Sequence, residues 1–245
     1  MNKVPQHRQV AEVMEKSGGY ATLGYLYHHV DVSNWSTKTP FKSINRIVQD
    51  DRFFFKIRPG LWALKELKKQ VLEKFGIEEE KDQKSIDFSH YYYQGLLVEI
   101  GSIKGFHTFI PNQDKNKMYL NKPLGQISTM NSIFPFSYDN FVKRAQTIDV
   151  IWFNERKMPF SFFEVEHSTD IYNSLLKYSD LRDFYTTFCI VADEVRKREF
   201  ASKLASLSFS DIKERITFMS YETLSQIHTN TYKLIKSQEH FSFLK

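Results

Sequence analysis

Three carboxylates stand where apolar side chains are the ordinary choice. In Phe162-Phe163-Glu164-Val165-Glu166 the acidic residues are separated by one position. On a strand, where successive side chains point to opposite faces, Glu164 and Glu166 share one face while Phe163 and Val165 share the other. Two like charges side by side on a strand otherwise bounded by Phe and Val repel each other, and a cation between them resolves the conflict. Asp149 lies in a second apolar run, Ile148-Asp-Val-Ile-Trp-Phe153, where packing gives a lone carboxylate no reason to be. If the two runs form a hairpin through residues 154–159, the three carboxylates meet at one end. Such an oxygen-ligand set suits Mg²⁺ or Mn²⁺. The competing reading of Glu164 and Glu166 is a solvent-facing edge strand with ordinary surface charges.

Those strands need a scaffold, and the surrounding pattern supplies one. Apolar residues at 92, 96, 97, 100 and 103 have helical spacing, with Gly105 as a stop. A strand is expected at Phe106–Ile110, a turn at 111–117, and an ambiguous stretch at 124–145. After the two carboxylate strands, Ser168-Thr169-Asp170 is expected to cap a helix reaching Asp183. A buried strand at Phe188–Ala192, a helix at Glu194–Leu207, a strand at Ile216–Met219 and a helix at Tyr221–Ile227 complete the series. Alternating strands and helices predict an α/β domain with a mixed sheet.

Ahead of this domain the pattern is different. Helices are expected over residues 5–17, from Thr22, and from Pro40, where Thr39-Pro40 reads as an N-cap followed by proline in the first turn. Arg52–Arg58, Pro59-Gly60 and Leu61–Leu64 then read as a hairpin. Three helices followed by a hairpin is the winged-helix arrangement, whose third helix enters the DNA major groove. The domain boundaries expected are 1–76 for this module, 77–88 for a charged linker and 89–245 for the α/β domain.

Composition is consistent with a nucleic-acid partner. The 245 residues carry a net charge of +5. Residues 1–75 hold 13 Lys/Arg against 7 Asp/Glu, and the rest hold 21 against 22, so the positive charge is concentrated in the N-terminal part. The single cysteine, Cys189, has no partner for an internal disulfide, and no run approaches the length of a membrane span. A soluble, cytoplasmic protein without a membrane role is expected.

Two resemblances add to this reading. The stretch Thr39-Pro-Phe-Lys-Ser-Ile-Asn-Arg-Ile-Val, with Arg52-Phe-Phe-Phe and Pro59-Gly-Leu-Trp-Ala-Leu, resembles the HARE-type helix-turn-helix module over roughly residues 5–65. The resemblance implies DNA binding, with Lys38, Lys42, Asn45 and Arg46 on or just before the recognition helix and Arg52, Lys56 and Arg58 on the wing. The block from Ile148 through Phe163-Glu-Val-Glu-His-Ser-Thr-Asp-Ile is similar to the PD-(D/E)XK nucleases, a restriction-endonuclease-like fold, in the E-X-E variant where Glu166 replaces the usual lysine. That likeness implies that Asp149, Glu164 and the Val165 carbonyl hold Mg²⁺. It further implies that Glu166 takes a second metal or orients water, and that Glu99, with Gln94 as a second possibility, supports the site from the preceding helix. Lys177 is a possible substitute cation, with a solvated lysine as the plainer reading, and His167 reads as structural.

The function expected is a metal-dependent, site-specific DNA endonuclease of the restriction type, acting on double-stranded DNA as a homodimer, with a possible cognate methyltransferase. The alternative is a catalytically inert DNA-binding regulator or modified-base sensor that uses the α/β domain for dimerisation. A single-strand or RNA nuclease, suggested by Tyr91–Tyr93, is the third reading.

Overall fold

The computed structural model describes residues 4–77 and 83–239. The chain divides into two compact units, one of residues 1–85 with the chain from Ser225 onward, the other of residues 86–224.

In the first unit, α1 (Gln6–Lys16) buries Val10, Ala11 and Met14. It ends at Gly18 and Gly19, both with positive φ, and the Gly19 N–H returns to the Met14 carbonyl at 2.8 Å. After β1 (Tyr20–Thr22), the Thr22 hydroxyl accepts from the Tyr25 N–H and opens α2 (Leu23–His29). The next helix, α3 (Pro40–Val48), starts with proline in its first turn as expected, but the Thr39 side chain makes no capping bond. Proline has no N–H to satisfy, and the Ser43 N–H is met by the Thr39 backbone carbonyl instead. The hairpin of β2 (Phe54–Arg58) and β3 (Leu61–Leu64) turns at Pro59-Gly60, where Gly60 has φ +77°. With β1 it forms a three-stranded antiparallel sheet ordered β1-β3-β2. Val10, Met14, Leu26, Ile44, Val48, Phe54 and Leu64 close the core. A further helix, α4 (Lys68–Lys74), follows.

The second unit is built on a long helix, α5 (Gln83–Ile103), and then β4 (His107–Phe109). A 3-10 turn at Asn112–Asp114, the short pair β5 (Met118–Tyr119) and β6 (Lys122–Pro123), α6 (Leu124–Ile127) and α7 (Asp139–Ala145) lead to β7 (Val150–Phe153) and β8 (Pro159–Glu166). The helix α8 (Ile171–Asp180) crosses to β9 (Thr187–Ala192), and α9 (Lys197–Leu204) to β10 (Ile216–Ser220). Last comes α10 (Tyr221–Glu239). The five-stranded sheet is ordered β10-β9-β8-β7-β4. β4, β7 and β8 are antiparallel neighbours, whereas β8, β9 and β10 are parallel. This is the mixed α/β sheet expected, and it is compatible with a restriction-endonuclease-like fold. One face packs Ile151, Phe153, Phe162 and Ile190 against Leu175 and Tyr178 of α8. Toward the other, the Trp152 indole donates to the Leu97 carbonyl of α5 at 3.1 Å.

Close contact with α5 depends on two glycines. A Cβ at Gly95 would lie 2.1 Å from the Tyr119 ring, and one at Gly101 would lie 2.5 Å from Trp152 Nε1. Alanine ordinarily favours a helix over glycine, but here the clash dominates, since overpacking costs about 1–3 kcal/mol. Gly95→Ala is therefore expected to lower Tm by roughly 2–12 °C. Thermal unfolding followed by circular dichroism checks this, and an unchanged or higher Tm counts against it.

The structure corrects several expected boundaries. Asp149 sits in the bend before β7 rather than within the strand, because its carboxylate takes up the Val165 N–H that a longer strand would have bonded through its backbone. The cap of α8 is Asp170, which accepts from the Tyr172 N–H, while Thr169 turns to Glu166. Residues 83–88, expected in the linker, form the start of α5, and residues 78–82 lie outside the described residues. The final helix continues to Glu239, and from Ser225 the chain groups with the first unit: Ser225 Oγ donates to the Pro59 carbonyl at 2.7 Å. No helix among the described residues is long and apolar enough to cross a membrane.

Candidate active site

Glu164 and Glu166 point to one face of β8, and both are buried, at 2% and 4% exposure. A buried carboxylate needs a cation or donors. The adjoining helix supplies both. Lys177 Nζ on α8 lies 2.8 and 3.0 Å from the two Glu164 oxygens and also donates to the Thr147 carbonyl at 2.9 Å. One turn earlier on the same helix, the Ser174 hydroxyl meets Glu164 at 3.1 Å and also meets Glu166. Thr169 Oγ1 donates to Glu166. A hydroxyl has a single proton, so Ser174 can donate to only one of the two glutamates at a time. Lys177 is thus not a solvated lysine: it brings to Glu164 a positive charge that Glu166 cannot supply.

Asp149 stands at the entrance to β7, opposite these glutamates, and joins them to α5. Its Oδ2 accepts from the Val165 N–H at 2.7 Å. Its backbone carbonyl accepts from Gln94 Nε2 at 2.7 Å, and the same Nε2 reaches Asp114 Oδ2 at 3.1 Å. His90, four residues before Gln94 and therefore on the same helical face, places Nδ1 3.0 Å from the Val165 carbonyl and Nε2 3.8 Å from Asp149 Oδ2. Ligand atoms of His90, Asp114 and Asp149 all lie within 4.8 Å of one another. The Val165 carbonyl, expected to face a metal, is engaged by His90.

Burial gives these acids an unusual electrostatic setting. It pushes Glu164 up to about 8, helped by the nearby Asp149 charge and opposed by Lys177. It pushes Asp149 up to about 7, opposed by the Val165 N–H and Lys177 and helped by Asp114 and Glu166. For Lys177, burial works against the charged form, but the surrounding carboxylates outweigh it and lift the ammonium above its ordinary value. When these acids are ionised, one lysine does not balance their charge, and a further positive charge would stabilise the cluster.

The other expected site residues fall as follows. Glu99 is half-buried on α5, where the Tyr119 hydroxyl donates to it at 2.9 Å. Five residues from Gln94, it lies well round the helix from the His90–Gln94 face. His167 lies just past β8, with Nδ1 3.4 Å from the Tyr221 hydroxyl. In the first unit Lys38, Lys42, Arg46, Arg52 and Lys56 are exposed, while Asn45 and Arg58 are half-buried. Asn45 Oδ1 accepts from Gln49, and Arg52 grips Asp50 through two nitrogens at 2.9 and 2.6 Å, holding that carboxyl down at about 2. Sequence reasoning missed His90 and Asp114. The four-residue spacing of His90 and Gln94 was a usable signal for the first, but nothing in the loop around Asp114 pointed to Asp149.

The family described as "Type II restriction enzyme NmeDI C-terminal domain" matches residues 71–243, well over half of the chain. The chain belongs to that family. It is also 32% identical over 122 residues to the type II restriction enzyme NmeDI of Neisseria meningitidis serogroup C, across 45% of this chain and 35% of that enzyme. The chain thus matches only about a third of the length of this relative. The NmeDI C-terminal domain match contains every member of the carboxylate cluster and α5, and leaves residues 1–70 uncovered. No solved structure matches the chain.

Proposed function

We propose that this protein is a metal-dependent, restriction-type DNA endonuclease of the PD-(D/E)XK class, in a variant with Glu166 at the lysine position and Lys177 supplying the cation from the neighbouring helix. The observation that carries this reading is the convergence of Asp149, Glu164 and Glu166, largely buried around one ammonium, with Asp114 beside Asp149. Membership of a restriction-enzyme family supports DNA as the substrate. The donor set is oxygen-rich and short of positive charge, which fits Mg²⁺ or Mn²⁺. Such an ion, when bound, lowers the pKa of a coordinated water and stabilises charge on the phosphate.

The residues' own roles follow from their contacts. Glu164 and Asp149 would hold the cation. Lys177, beside Glu164, would orient that carboxylate and offer positive charge toward a phosphate. Glu166, held by Ser174 and Thr169, would stay fixed as a proton acceptor or second-metal ligand, and Glu99 would act only through its Tyr119 contact or a water. A homodimer would let two such sites cut both strands, and a cognate methyltransferase would protect the host's own DNA. Mg²⁺-dependent production of discrete fragments from methylated and unmethylated plasmids, absent with EDTA, tests the reading; no cleavage of any duplex with Mg²⁺ or Mn²⁺ sinks it.

A second reading, an inert DNA-binding regulator, is favoured by the fact that Lys177, Ser174 and Thr169 already give Glu164 and Glu166 partners. Binding without cleavage in the same assay would select it.

The first unit is proposed as a HARE-type winged helix that places α3 in the major groove and β2–β3 against the backbone. Lys42→Ala and Lys56→Ala are each expected to reduce the slope of log affinity against log salt by about 1. Arg52→Ala should change it less, because Asp50 already holds that guanidinium. Asn45→Ala and Arg46→Ala should alter sequence preference. Fluorescence anisotropy over a salt series reads these outcomes, and unchanged binding in all five variants rejects the assignment.

A further inference from the structure

We propose that His90, Asp114 and Asp149, with Gln94, form a binding site for a divalent first-row transition ion such as Mn²⁺, beside the Glu164–Glu166–Lys177 group. The inference rests on the metal-dependent function proposed above and names the residues that take the cation. Three elements converge on the site: α5 brings His90 and Gln94, the 3-10 turn brings Asp114, and the entrance to β7 brings Asp149.

Two observations point to a ligand. The first is the state of the His90 ring. A carbonyl only accepts, so the 3.0 Å contact to Val165 O puts the proton of a neutral ring on Nδ1. Nε2 then faces Asp149 Oδ2 at 3.8 Å, too long for a hydrogen bond, and is turned toward the cluster. An imidazole that donates one N–H to a backbone carbonyl and presents the other nitrogen is the usual arrangement of a metal-binding histidine. The second observation is Gln94, fully buried, with its amide head inside the cluster: Nε2 contacts both Asp114 Oδ2 and the Asp149 carbonyl. Its Oε1 meets no hydrogen-bond donor among the described residues. A buried amide oxygen left this way is costly, and a cation offers it a partner.

Glu164 has an ammonium at 2.8 Å, whereas Asp149 Oδ2 has the His90 ring nitrogen at 3.8 Å. A nitrogen ligand among oxygens favours Mn²⁺ and later first-row ions over Mg²⁺, which is held mainly by carboxylates and water.

The test uses the full chain without DNA. Mn²⁺ binding is followed by electron paramagnetic resonance, with spin-echo detection of nitrogen coupling. Wild type is expected to bind Mn²⁺ with an imidazole nitrogen coupled to it. His90→Ala should lose that coupling, and both His90→Ala and Asp114→Asn should weaken binding about tenfold or more, while Glu155→Gln, on the exposed turn between β7 and β8, should leave it within about threefold. Either the absence of nitrogen coupling in wild type or unchanged affinity in both variants would overturn the proposal. The coupling is read on unmutated protein, so misfolding of a variant does not obscure the result. Intact Mn²⁺ binding without DNA cleavage would leave this site standing and reject the nuclease reading instead.

Discussion

Glu164→Gln and Asp149→Asn are each expected to reduce Mg²⁺-dependent DNA cleavage by about 10²–10⁴-fold, since a bound metal supplies several kcal/mol to the transition state and about 1.4 kcal/mol is a factor of ten. Both replacements are nearly isosteric, so the packing of β7, β8 and α8 is retained. In Glu164→Gln the amide oxygen still accepts from Ser174 and Lys177, which separates a loss of chemistry from a loss of fold. Single-turnover cleavage, with the unfolding transition measured on the same preparations, gives the comparison. Activity within about tenfold of wild type in a folded variant removes that carboxylate from the mechanism. Lys177→Met belongs beside them. If Lys177 is the functional cation, the variant should lose cleavage while keeping DNA affinity.

The second large effect is a pH dependence. Asp149 and Glu164 are raised in the folded chain, to about 7 and about 8, chiefly by burial. A raised carboxylate binds its proton more tightly folded than unfolded. The stability it contributes is therefore full below the ordinary carboxylate range and is lost as pH rises through the folded value. The metal-free protein should become less stable from about pH 4 to about pH 8, by up to about 1.4 kcal/mol per pH unit for each of the two acids while it is protonated in the folded chain and ionised in the unfolded one. Mg²⁺ or Mn²⁺ should oppose this, because the ion binds the deprotonated acids, so its stabilising effect grows across the same window. Glu164→Gln should flatten the slope. Denaturant titrations in EDTA and in metal at several pH values decide the matter, and a metal-free stability that holds or rises from pH 5 to pH 8 contradicts it.

Much of the scaffold was legible in the residue pattern. Period-two alternation marked β8, an apolar run marked β7, and helical spacing of Tyr92, Leu96, Leu97, Ile100 and Ile103 marked α5. Boundaries were less so. Asp149 left the strand because its side chain took over a backbone partner, and α10 runs twelve residues beyond its expected end. Helix length depends on what a face can pack against, as with Tyr232 over Gly24, and that neighbour is distant in the chain.

The sequence by itself determined that carboxylates at 149, 164 and 166 would lie on or beside apolar strands. It also determined that 164 and 166 share a face, because alternation along a strand is local geometry. Only the tertiary structure decided what meets them. Lys177 reaches Glu164 because α8 crosses back over β8 on its way to the parallel β9, and His90, Gln94 and Asp114 reach Asp149 because α5 and the following turn pack at the β7 entrance. Those contacts join residues 13 to 75 positions apart, and no local periodicity encodes them. They arise from burial: carboxylates closed off from water must find donors or cations, and the fold supplies them from whichever elements pack against the sheet.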